Sequence, residues 1–272
     1  MATPNAQMYE AYLIVDRFHA ALRNMNDLEK GDIRNVVMGV LNPTLREKCV
    51  TLNYHRAAVN VELLLALTDT RQFQAIAMLA RTIFELAVEL KLISLDADAA
   101  EKIDLFTRIE LLRSAERIVA FKRDHPDAKI HYETQDEFIR TCAVGIRKDQ
   151  NTMWPGITKI KHWTKKDLAA RAKELGDPFD RIYEVHYAEL SWFSHSGVTG
   201  LGNANTNLIA MSAGTSYSIA VDSYMQILEV VVNEFKLHAT MPVLKDKIAY
   251  MKMTAFTESQ EEANRLRQAY GV

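Results

Sequence analysis

Residues 70–95 read TRQFQAIAMLARTIFELAVELKLISL. At roughly 100° per residue, Met78, Arg81, Phe84, Glu85, Val88 and Leu92 share one side of a helix, while Ile76, Leu79, Ile83, Leu86 and Leu90 make the opposite side apolar too. A helix that is apolar all round belongs in a core, so this segment calls for a protein of helices wrapped around it. Arg81 and Glu85, four residues apart, then become charges with few exits to water. They are either an ion pair tying helices together or part of a site.

The rest of the chain agrees with a helical fold. Apolar residues recur at three- and four-residue spacings, and no stretch alternates with period two. Helices are expected over about 5–27, 32–41, 44–67, 70–95, 99–124, 134–149, 164–175, 178–196, 209–238, 242–252 and 258–269, with 150–163 and 197–208 the least regular stretches. Only 10 Gly and 6 Pro in 272 residues argue against a turn-rich β fold. The expectation is an all-α, single-domain helical bundle of about ten helices spanning 1–272. Thr134-Gln-Asp-Glu137 and Thr164-Lys-Lys-Asp167 have the pattern of capping boxes, Gly176 and Gly197 suit helix ends, and Pro43 and Pro178 suit first turns. The apolar segment SIAVDSYMQILEVVVNEF (218–235) would serve a core or a homo-oligomer interface equally well.

Composition narrows function mainly by exclusion. A net charge of −2 gives no global reason to expect nucleic acid. The start, MATPNAQMYEAYLIVDRFHAAL, lacks the order of a secretory signal, and the apolar runs are too short to span a membrane. Cys49 and Cys142 have no second cysteine nearby, as expected of free thiols in a reducing compartment. A cytoplasmic protein without membrane contact is the expectation. There is no P-loop, dinucleotide fingerprint or nucleophile elbow. No Glu-x-x-His pair is present for a di-iron site, although Asp16 with His19 and Glu234 with His238 share helix faces. Neither a cofactor nor a metal is expected.

Three candidate sites remain. In YAELSWFSHSG (187–197), Tyr187, Ser191 and His195 recur every four residues and form a polar stripe on an apolar helix, with Glu184 and Ser194 alongside. Arg181 and His186, five residues apart, are the alternative catalytic candidates. Between 140 and 173, Arg140, Arg147, Lys148, Lys159, Lys161, Lys165, Lys166, Arg171 and Lys173 interleave with Trp154, His162 and Trp163. Lys159, Lys161, Lys165, Lys166 and Trp163 are the candidate RNA contacts, because amines neutralise phosphates and an exposed indole stacks on unpaired bases. A solvated helix face with tryptophans in the core is the other reading of that stretch.

RTIFELAVEL (81–90) paired with YAELSWFSHSG resembles a group of uncharacterised bacterial all-helical proteins, in which an Arg-x-x-x-Glu helix is followed about a hundred residues later by a Tyr-x-x-x-Ser-x-x-x-His helix. The resemblance implies a shared helical fold and a shared site at Arg81, Glu85, Tyr187, Ser191 and His195. More loosely, Arg181-Ile-Tyr-Glu-Val-His186 is similar to the Arg and His spacing of the HEPN superfamily, with Ile182 where those nucleases usually carry a polar residue. That similarity implies metal-independent RNA cleavage by a toxin or phage-defence effector. A non-catalytic binding or sensor protein holding a small polar ligand is the alternative.

Overall fold

The computed structural model describes residues 6–192 and 206–256, and the protein is all-α, with no strand among those residues. In chain order the helices are α1 (Ala6–Leu28), α2 (Arg34–Met38), α3 (Leu45–Leu65), α4 (Phe73–Leu95), α5 (Ala99–Asp124), α6 (Glu133–Met153), α7 (Leu168–Leu175), α8 (Phe179–Ile182), α9 (Ala188–Trp192), α10 (Thr206–Glu234), α11 (Leu237–Thr240) and α12 (Leu244–Phe256). Two joints are π-helical: Glu29–Ile33 links α1 to α2, and Tyr183–Tyr187 links α8 to α9. Helical stretches the sequence reading interrupted or left regular thus continue through a wider turn. The expected helix at 258–269 and the cap at Gly197 lie outside the described residues.

Contacts divide the chain into two compact units, one of residues 1–95 with 168–272 and the other of residues 96–167. In the first, α4 and α10 pack together most extensively, α3 covers α4, and α1 covers α10. The all-round apolar pattern of α4 is used as expected: Ile76, Ala80, Ile83, Phe84, Leu90 and Ile93 are fully enclosed. On α10, Tyr217, Ala220, Tyr224, Met225, Leu228 and Val231 are buried among the chain's own helices, so this segment serves the core. Gly214 permits the approach of α10 to α1, since a Cβ there would meet Ile14 Cγ2 at 3.3 Å. In the second unit, α5 pairs with α6, and the irregular stretch that follows is tied down by Arg113 Nη1 donating to the Ile160 carbonyl at 2.6 Å and Gln150 Nε2 donating to the Ile157 carbonyl at 2.9 Å.

The helix starts differ from expectation in an instructive way. Thr134 lies inside α6, which begins at Glu133, and Thr164 lies four residues before α7, where its hydroxyl accepts from Lys166 N. The capping box forms instead at Thr44, whose hydroxyl accepts from Glu47 N at 3.2 Å while Glu47 Oε2 accepts from Thr44 N at 2.7 Å. Gly176 does take the left-handed conformation, φ +71°, just past α7.

Candidate functional site

The π-helical turn Tyr183–Tyr187 brings the second polar segment onto α4. Tyr187 Oη donates to Glu85 Oε1 at 2.6 Å, and Arg81 Nε donates to the same oxygen at 2.8 Å. The Arg81 guanidinium also stands over the Tyr187 ring, 4.9 Å from its centroid, where the ring quadrupole attracts it. Tyr183 stacks on Tyr187 at 4.9 Å, and Phe84 of α4 supports that ring from 5.9 Å. Three of the five expected site residues are therefore in direct contact. Ser191 is half-buried one turn further along α9. His195, like Ser194, lies outside the described residues.

The cluster is more open than the sequence suggested. The side chains of Arg81 and Glu85 keep 28% and 41% of their exposure, and among the described residues the short segments α7 and α9 pack on α4. Burial pushes the Tyr187 phenol up to about 12, helped by its hydrogen bond to the Glu85 carboxylate, so it is a protonated donor at neutral pH. Burial opposes the charge on Arg81, but Glu85 and Tyr187 outweigh it and raise its pKa overall.

Residues 50–207, more than half of the chain, match the family of unknown function DUF5677. The chain belongs to this family. No curated protein and no solved structure matches it. The DUF5677 stretch takes in both polar segments, Arg81–Glu85 and Tyr187–His195, and leaves out α1, α2 and most of α10.

One turn beyond Glu85 on α4, Glu89 pairs with Arg171 of α7 at 3.2 Å, with only 17% and 14% of their side chains exposed. Arg171 therefore leaves the basic stretch to which its sequence position assigned it. The available signal was the i, i+4 spacing of Glu85 and Glu89 opposite a lone arginine in an alanine-rich helix. The rest of the basic stretch is divided in character. Lys159, Lys161, Lys165 and Lys166 are exposed, but Trp154 and Trp163 are each 3% exposed. Trp163 has no free face on which a base could stack, and the expected aromatic contact is corrected accordingly.

Arg181 and His186 face away from α4. They are five apart, and the i→i+5 register of the π-helical turn lets both line one cavity of about 640 Å³. Arg181 Nε donates to Asp177 Oδ1 at 2.8 Å, and its Nη2 lies 3.9 Å from Asp222 Oδ2. Burial lowers the pKa of His186; Glu189 opposes this and Arg181 adds to it. The carboxylate–imidazole pairs weighed for metal are otherwise engaged. His19 Nε2 lies 3.2 Å from the Leu65 carbonyl, and Glu234 accepts from Arg46 Nε at 2.8 Å. Among the described residues no three His, Cys, Asp or Glu side chains form a group able to hold a metal ion.

A further polar cluster escaped sequence reading. Glu29, fully buried, accepts from Arg34 Nε at 2.9 Å and Nη2 at 2.7 Å and from the Tyr54 hydroxyl, while Arg34 also reaches Glu62 at 2.6 Å. Glu29 and Arg34 are five apart, a spacing that an α-helix would turn away from one another and the π-helical turn brings together. The cluster ties α1, α2 and α3 and has the enclosure of a structural ion pair.

Proposed function

We propose that this chain is an RNA-cleaving toxin or phage-defence effector that works without a metal. Its reaction centre is Arg81, Glu85 and Tyr187, with Ser191 and His195 following at successive four-residue intervals. The observation that supports this reading is the shared Glu85 oxygen: one carboxylate holds a guanidinium and a phenol side by side, and the pair keeps part of its exposure to solvent. Two segments a hundred residues apart supply these groups, and both fall within the family stretch.

Cleavage by attack of a 2′-hydroxyl forms the 2′-oxygen–phosphorus bond, breaks the bond to the 5′-oxygen, and leaves a cyclic phosphate and a 5′-hydroxyl. It needs a base for the 2′-proton, a proton for the leaving oxygen and a cation beside the phosphate. In this reading His195 exchanges the protons, Arg81 carries the phosphate charge, and Tyr187 and Ser191 donate hydrogen bonds that position the substrate. In this reading Lys159, Lys161, Lys165 and Lys166, exposed on the unit of residues 96–167, are contacts for RNA phosphates.

The test is incubation of the purified protein with RNA in excess chelator. Cleavage should occur, and His195→Ala and Arg81→Ala should each reduce it, the former by ~10²–10⁴-fold. RNA that stays intact at high protein concentration overturns the enzyme reading in favour of a binding protein. That alternative is supported by the mutual satisfaction of Arg81, Glu85 and Tyr187, an arrangement suited to holding a small polar ligand.

A further inference from the structure

The cavity on the other side of the π-helical turn has properties the proposed reaction does not use. It lies between α1, the segment 177–186 and α10, with Phe256 of α12 at its edge, and its volume of about 640 Å³ falls within the range of small-molecule sites. Apolar walls come from Phe18, whose ring stands 5.4 Å from that of Phe256, and from Ile182 and Ile219. Such walls suit a ring or a branched apolar body.

The polar lining has a particular balance. Arg17 and Arg181 contribute two positive charges, and Asp177 and Asp222 contribute two negative ones. His186, its pKa lowered by burial, adds no charge at neutral pH. Thr215 and Ser218 add hydroxyls from α10 that both donate and accept. A dianionic phosphate placed here would stand beside two carboxylates, and a polycation beside two guanidiniums, so each is disfavoured by like charges in a partly enclosed space. A molecule with no net charge suffers neither penalty and can use both kinds of hydrogen-bonding group.

We infer that this cavity is a second ligand site, separate from the Arg81 cluster, for a net-neutral ring compound that carries both hydrogen-bond donors and acceptors. That chemistry is shared by nucleosides and by zwitterionic aromatic amino acids. The inference stands on the cavity alone and does not depend on RNA cleavage.

Titration calorimetry of the full chain separates the sources. The probes are adenosine, L-tryptophan and adenosine monophosphate. Saturable binding of adenosine identifies the nucleoside class, and saturable binding of tryptophan identifies the amino-acid class. Where adenosine binds, its monophosphate should bind at least ~10-fold more weakly, a difference of about 1.4 kcal/mol. Ser218→Phe, which fills the cavity from α10, should abolish binding. Should that variant fail to fold, Ile14→Trp at the half-open mouth gives the same test. The site is overturned if neither neutral probe binds at millimolar concentration, if the monophosphate binds as tightly as the nucleoside, or if binding survives a filling substitution in a folded protein. RNA cleavage by the same samples reports on the Arg81 cluster separately.

Discussion

Tyr187 and Glu85, 102 residues apart in sequence, share a hydrogen bond of 2.6 Å between phenol and carboxylate. That contact fastens the segment after α8 to α4 and fixes where Ser191 begins its turn. Removing the hydroxyl alone, in Tyr187→Phe, should keep the ring packing on Phe84 and cost about 1 kcal/mol, since water can replace part of the bond at a half-open carboxylate. Urea denaturation measures this. A loss of several kcal/mol would mean that the cluster is sealed from water.

The exposure of Arg81 and Glu85 sets a contrast with Glu29. Glu85→Ala leaves an arginine that can still reach water, and should cost about 1 kcal/mol or less. Glu29→Ala leaves a buried Tyr54 hydroxyl without its acceptor and a half-enclosed Arg34 with Glu62 alone, and should cost about 3 kcal/mol or more. Paired denaturation curves of the two variants check the order. Equal losses would mean that both carboxylates are equally enclosed.

The central helices were legible because their signal is internal: an apolar pattern on all sides of 73–95 belongs in a core, while that of 206–234 marked a helix and left core and interface open. The pairing of Arg81 with Glu85 was legible from i, i+4 spacing, and Tyr187 was singled out by its four-residue interval to Ser191. Features set by tertiary packing were not. Neither π-helical turn leaves a periodic trace, so the meeting of Glu29 with Arg34 and the common orientation of Arg181 with His186 could not be read from an α-helical wheel. Hydroxyl-and-acid patterns were equally ambiguous: Thr44, Thr134 and Thr164 each have an acidic residue three positions later, yet only Thr44 forms the box. The part exposure of Arg81 and Glu85 was not legible either, because a helical wheel reports periodicity and not how much of each face its neighbours cover.

The basic stretch yields a separable pair of outcomes. Trp163→Ala removes an enclosed indole and should destabilise the protein by about 3–5 kcal/mol in a denaturant melt. Replacing the exposed Lys159, Lys161 and Lys165 by Gln together should leave the melt almost unchanged. In the RNA reading, the lysine variant should bind RNA more weakly, with a shallower dependence on salt. Unchanged salt dependence would remove these lysines from the interface.

His186 should make stability sensitive to mild acid. It faces Arg181 and Glu189 from its own segment, Asp177 just before α8, Arg17 from α1 and Asp222 from α10, and burial holds its pKa below the ordinary 6.5. Above that value both the folded and unfolded chains carry a neutral imidazole, and its contribution to stability is fully present. As pH falls through 6.5 the unfolded chain takes up the proton first, so it binds more protons than the folded one and stability declines. Other groups titrate in the same range, but they do so equally in His186→Gln. Urea melts at pH 7.5 and pH 5.5 should therefore show a larger loss on acidification for the unsubstituted protein than for the variant. Equal losses would mean that the imidazole is open enough to take its proton in the folded state.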